Sequence, residues 1–101
     1  MASKRFSISI SQAALGDIEM AKLYYEAKLK GLGNRFTNQV KYSINKLSIH
    51  PYFQVRYKNI ICAPIPKFPF LIHFYVNEEE KVIEIFALIH TARNPDIFLK
   101  Q

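Results

Sequence analysis

The chain has 101 residues, half of them hydrophobic and 14% aromatic, which excludes a disordered polymer and sets the size of one domain, 1–101. No run approaches the roughly 18 apolar residues of a membrane span, and the N-terminal stretch MASKRFSISIS lacks an apolar secretory segment. A net charge of +6 points to a polyanionic or acidic partner, and one cysteine, Cys62, excludes an internal disulfide, so a cytoplasmic setting is expected.

Arg5 to Ile10 alternates Phe6, Ile8 and Ile10 with polar residues and reads as a strand with one buried face. Ser11 is a good N-cap, so a helix is expected from Gln12 to about Lys30, with Asp17 and Glu19 near its positive end. Ala14, Ile18, Ala21, Tyr25 and Leu29 fall on one face of it. Gly31-Leu-Gly33 makes a tight connection; it lacks the third glycine and the preceding strand of a phosphate loop. A second helix is expected over 34–48, with Phe36, Val40, Ile44 and Leu47 inward and Arg35, Asn38, Gln39, Lys41 and Lys46 mostly off that face. So short a turn packs the two helices as an antiparallel hairpin. His50-Pro51 stops the second helix.

Residues 55–63 read as a strand whose end, marked by Pro64 and Pro66, is an edge or a bulge. Lys67 to Val76 and Val82 to Ile89 read as two further strands joined by the polar turn of Asn77 and Glu78 to Glu80, which makes a β-hairpin. The order of strand, two helices and three strands implies an α+β fold, with a helical hairpin on one face of an antiparallel sheet.

The charge is segregated. From Ala27 to Val76 there are eight cations (Lys28, Lys30, Arg35, Lys41, Lys46, Arg56, Lys58 and Lys67) and no acid. His50, His73 and His90 lie far apart and no cysteine cluster joins them, so no metal site and no cofactor are expected. Cys62 reads as a strand residue rather than a nucleophile. His90 and Arg93, at a strand exit, are the candidates for chemistry: a general acid or base and a bidentate anion ligand. The structural alternative has His90 capping the strand and Arg93 pairing with Asp96 or a helix carboxylate.

Several pieces add up to a resemblance. Tyr24-Tyr25-Glu26, Gly31-Leu-Gly33 with Arg35-Phe36, Phe68-Pro-Phe70, and His90 with Arg93 and Pro95 stand in the order and spacing that resemble the RelE/ParE toxin superfamily of bacterial type II toxin–antitoxin systems. The resemblance spans the chain from Ser11 to Pro95. It implies the fold read above, a cytoplasmic bacterial protein and a cognate antitoxin in a hetero-oligomer. RelE-like members cleave mRNA on the ribosome with a late arginine and a C-terminal tyrosine; Arg93 matches the former, whereas Phe98 stands at the latter. ParE-like members block DNA gyrase and catalyse nothing. They usually carry arginines on the strand before the Phe-Pro-aromatic piece, where this chain has Ile61 and Cys62. The Phe68-Pro-Phe70 piece and the His90–Pro95 ending place the resemblance in the ParE-like branch. On this basis Arg93, Lys67, Arg56 and Lys58 are expected to meet the target. Leu15, Met20, Leu23 and Tyr24, apolar beyond the stripe the core needs, are expected to meet the antitoxin together with Arg35, Lys41 and Lys46.

Overall fold

The computed structural model describes residues 5–52, 55–57 and 59–91. Its elements are β1 (Ser7–Ile10), α1 (Gln12–Lys28), α2 (Leu32–Ile49), β2 (Val55–Tyr57), β3 (Ile60–Pro64), β4 (Phe70–Asn77) and β5 (Val82–His90). They form the expected α+β arrangement, a helical hairpin against one face of a sheet ordered β1-β5-β4-β3-β2. The sheet is antiparallel except at one edge, where β1 runs parallel to β5 with Ser7 opposite Val82 and Ile10 opposite Ile85. A parallel pair cannot be joined by a tight turn, and here the two helices carry the chain from β1 across to β2 at the far edge, from which β3, β4 and β5 return to meet β1.

The strand expected over 55–63 is two strands. A turn at Asn59 folds β2 back on β3, so that Val55 pairs with Ile61 and Tyr57 with Ile60. Among the described residues the pairing of β2 with β3 ends at Ile61, short of Pro64, whose ring nitrogen has no hydrogen to donate. The hairpin of β4 and β5 keeps one register from Phe70–His90 to His73–Ala87 and another from Phe74–Ile85 to Asn77–Val82. Phe86 is the extra residue, a bulge that turns it away from the helices.

α1 begins as Ser11 predicts, with the Ala14 N–H donating to Ser11 Oγ at 3.0 Å. It ends at Lys28, two residues before the expected Lys30, so Leu29 leaves the stripe and is exposed. No acid lies in the first turn. Asp17 instead reaches the sheet, where its Oδ2 accepts the Leu88 N–H at 3.1 Å. Ser11 Oγ also donates to the Phe86 carbonyl at 3.3 Å. The N-cap of α1 and one polar side chain within it therefore hold β5 at its bulge, where ladder bonding is interrupted.

α2 starts at Leu32, two residues before the expected Asn34. Its N-cap is Gly31, in the left-handed region at φ 89°, which has no side chain to cap with. Glu26 of the preceding helix supplies the acceptors. Its Oε2 takes the Gly31 N–H and its Oε1 the Gly33 N–H, each at 2.9 Å.

The main core lies between the helices and the sheet. Ala14, Ala21, Phe36, Val40 and Leu47 meet Ile61, Ala63, Ile72, Phe74, Ile83, Ile85 and Leu88 there. Burying a side chain the size of Phe36 contributes roughly 1.5–3 kcal/mol. On the opposite face Ile60, Cys62 and Leu71 form a smaller cluster with Phe86. His73, between Cys62 and Ala87 in the ladder, is also buried there, 6.1 Å from the Phe86 ring. No helix among the described residues is long and apolar enough to cross a membrane.

Candidate functional site

The connection from β3 to β4 holds one of the two non-glycine residues with positive φ among the described residues. Ile65 to Phe68 form a tight turn, with Phe68 N–H donating to the Ile65 carbonyl at 3.4 Å. Pro66 holds its second position and Lys67, at φ 72°, its third, which is the type II pattern. That third position usually takes glycine, and a side chain there costs about 1 kcal/mol or more. Lys67 is thus held in strain at the mouth of a cleft. The turn is tied down on both sides. Ile65 N–H donates to the Phe70 carbonyl at 3.0 Å, and Thr91 N–H to the Pro69 carbonyl at 2.8 Å.

Behind the turn sits an aromatic cluster. Phe68 packs on Tyr25 and Phe36 at ring separations of 4.9 and 5.1 Å, and Phe70 packs on the same two rings at 6.2 and 5.4 Å. His90 lies edge-on to Phe70 at 5.0 Å. Burial, then the neighbouring Tyr24, pushes the Tyr25 hydroxyl above its ordinary range. The aromatic residues of four short sequence pieces, Tyr25, Phe36, Phe68 with Phe70, and His90, thereby converge at one end of the fold.

In front of the cluster, α2 and the turn enclose a cleft of about 410 Å³ lined by Leu32, Arg35, Asn38, Gln39, Lys67 and Phe68. Arg35 and Lys67 are 32 positions apart in sequence, and no periodicity signals that they meet. The sequence assigns them to different partners, Arg35 to the antitoxin and Lys67 to the target. The fold puts both on one cleft. Of the remaining expected target residues, Arg93 and Lys58 lie outside the described residues, and so does Phe98. Arg56 falls in β2, at the far edge of the sheet from β1. His90 is half-buried at the end of β5.

The expected antitoxin residues lie on the two helices. Leu15, Met20, Leu23 and Tyr24 are all exposed on α1, Met20 at 72% and Leu23 at 60%. Met20, Leu23 and Tyr24, at i, i+3 and i+4, share one exposed side of α1 flanking buried Ala21, whereas Leu15 falls on a different side of the helix. Arg35, Lys41 and Lys46 are exposed on α2, and Lys46 Nζ stands over the Tyr42 ring at 5.5 Å. Among the described residues no group of three or more His, Cys, Asp or Glu could hold a metal ion.

The Glu26 latch beneath the cleft is what sequence reasoning missed. Its two backbone hydrogen bonds hold the carboxyl below the ordinary glutamate range. An acid five and seven residues before a pair of glycines was the available signal.

No protein-family model matches the chain, and no curated protein matches it in sequence. Solved structures match it in shape. A chain of the chromosomal ParDE TA system from P. aeruginosa superposes with a TM-score of 0.74 at 14% identity, covering 87% of this chain and 98% of that one. A chain of the RelBE2 toxin–antitoxin complex from Mycobacterium tuberculosis does so with a TM-score of 0.61 at 14% identity, covering 85% of this chain and 98% of that one. The fold of this chain is therefore the RelE/ParE-like fold found in these two toxin–antitoxin assemblies.

Proposed function

We propose that this chain is the toxin of a bacterial type II toxin–antitoxin pair, of the ParE-like kind, which inhibits growth by blocking DNA gyrase or a related topoisomerase. The observation that carries the reading is the shape match to the ParDE chain at TM-score 0.74, over nearly the whole length of that chain. Phe98, at the position resembling the catalytic tyrosine of RelE-like members, supplies no hydroxyl for acid–base work and favours a blocker over a nuclease. The test is a supercoiling assay with purified gyrase beside a ribosome-dependent cleavage assay. Inhibited supercoiling with intact mRNA is expected; mRNA cleavage with gyrase unaffected makes the chain a RelE-like endoribonuclease. Unimpaired growth on expression without a partner leaves a relative that only binds antitoxin.

Arg93 is the proposed centre of target binding, with Lys67, Arg56 and Lys58 adding charge. An Arg93→Ala protein is expected to fold and bind antitoxin yet lose toxicity, and unchanged toxicity assigns Arg93 a structural ion pair. The proposed antitoxin is acidic and orders on binding, covering the exposed apolar side of α1 while Arg35, Lys41 and Lys46 raise its association rate. Reversing those three charges is expected to slow association and flatten its salt dependence, with smaller effects on dissociation.

A further inference from the structure

The cleft of Arg35 and Lys67 does not stand alone. Two turns farther along the same side of α2, Tyr42, Ser43 and Lys46 line a second, smaller hollow of about 160 Å³ against Pro64 and Pro66. Residues 35, 38, 39, 42, 43 and 46 follow helical spacing, so the two hollows lie in line along one groove between α2 and the chain from Pro64 to Phe68. The first hollow carries two cations and two carboxamides over Leu32 and Phe68. The second is walled by a tyrosine and two prolines. Within it Ser43 Oγ is buried, the residue only 6% exposed, and lacks a hydrogen-bond partner. A helical serine ordinarily bonds its own backbone a turn earlier; this one does not, and its oxygen lies beneath the floor of the hollow.

Charge completes the description. Arg35 and Lys67 repel each other across the cleft, and the acid-free span from Ala27 to Val76 offers no neutralising carboxylate. The nearest acid in sequence, Glu26, already spends both oxygens on Gly31 and Gly33. The strained backbone at Lys67 keeps one of these cations at the cleft despite its cost.

We infer that this groove is a peptide-binding site in which Arg35 and Lys67 grip a carboxylate and the Ser43 hollow takes an apolar side chain of the same segment. The occupant is an acidic peptide rather than a polynucleotide, because half the groove is apolar, walled by Tyr42, Leu47, Ala63, Pro64 and Pro66. From Arg35 to Ser43 the helix rises roughly 12 Å, which an extended peptide spans in about four residues. The acid and the apolar residue of the ligand are therefore about four positions apart. The inference rests on the reading of an acidic protein partner, and it places that partner's carboxylate on Lys67, a residue proposed to serve the target.

The test uses the full chain and the blocked octapeptide Ser-Glu-Glu-Ser-Thr-Ser-Leu-Ser, its version with glutamine for both glutamates, and a thymidine dodecanucleotide. Binding is followed by NMR at the side-chain amides of Asn38 and Gln39. The acidic peptide is expected to shift both. Arg35→Ala and Lys67→Gly are each expected to weaken it about tenfold, the size of one charge-assisted hydrogen bond. Lys81→Gly, a matched change at the other positive-φ lysine, is expected to leave affinity unchanged. If Lys67→Gly does not give a folded spectrum, Lys67→Gln makes the same comparison. Equal affinity for the glutamine peptide, equal losses in all three variants, or tighter capture of the dodecanucleotide at the same amides overturns the inference. None of these readouts depends on toxicity, so a failed gyrase assay and a failed peptide site are separate results.

Discussion

The carboxylate of Glu26 and the backbone of Gly33 fit each other so closely that neither tolerates a change. Gly33 N–H donates to Glu26 Oε1 at 2.9 Å, and a methyl group at Gly33 would lie 2.9 Å from that oxygen and 2.8 Å from the Lys22 carbonyl. The second of these contacts is with backbone and cannot yield without moving α1. Gly33→Ala is expected to cost roughly 1–3 kcal/mol, and to lower the melting temperature by roughly 5–15 °C in a domain of this size.

Acid should weaken the same latch. The Glu26 carboxyl is held below its ordinary range by the Gly31 and Gly33 amides, so its contribution is complete above the unfolded-state value. It is lost as pH falls through the lower folded-state value. Glu26→Gln should therefore lower the urea midpoint at pH 7, and its difference from the wild-type chain should shrink toward pH 3. A constant difference across that range would mean that the charge of Glu26 plays no part.

Asp17→Ala removes the acceptor of the Leu88 amide at the point where β5 bulges. A partly buried donor left without its partner costs about 1–3 kcal/mol, and Asp17→Asn, which keeps an acceptor oxygen, should recover much of it. Hydrogen exchange gives the local readout. The Leu88 amide should exchange faster in the alanine variant than the other amides of β5.

Lys67→Gly relieves a left-handed side chain at the cost of a more flexible unfolded state. The second effect offsets about half of the first, leaving a gain of roughly 0.5–1 kcal/mol. Lys67→Ala keeps the strain and should not gain. A pair of denaturant titrations separates these outcomes, and equal stability of the two variants would show that Lys67 is not strained.

Tyr52 donates from its hydroxyl to Glu78 Oε2 at 2.6 Å, and this bond, then burial, raises the phenol above its usual value near 10. The bond stabilises the fold fully below that value and is lost as pH rises through the higher folded-state one. Glu78→Gln should bring the Tyr52 titration, read by ultraviolet difference spectroscopy, back toward the ordinary range.

Local signals were legible and distant ones were not. Alternation gave β4 and β5, and Ser11 gave the start of α1, because period and capping are written within a few residues. The break between β2 and β3 has one local mark, the polar pair Lys58 and Asn59 followed by the apolar pair Ile60 and Ile61, which interrupts the alternation but carries no glycine or proline to announce a turn. The start of α2 was misplaced by two residues because its capping group belongs to α1. Phe86 could not be recognised as a bulge, since an apolar residue suits either face of β5. The expected acid at the head of α1 is used instead to hold the sheet. The cleft is the clearest case: Arg35 is a helix residue, Lys67 a turn residue, and only the packing of α2 over β3 and β4 brings them together.

The parallel pairing of β1 with β5 also governs when the molecule can be completed. Ile10 waits for Ile85, and Ser11 N–H for the Ile85 carbonyl, so among the described residues the first strand lacks its strand partner until the last one has been made. β5 lies between β1 and β4, and the sheet holds a gap at that place until it arrives. Contacts that join residues about 75 positions apart are slow to form, and helices laid on a missing strand gain little. A nascent chain halted before residue 82 should therefore stay open to proteases even with both helices already synthesised. Protection should appear abruptly once β5 clears the ribosome.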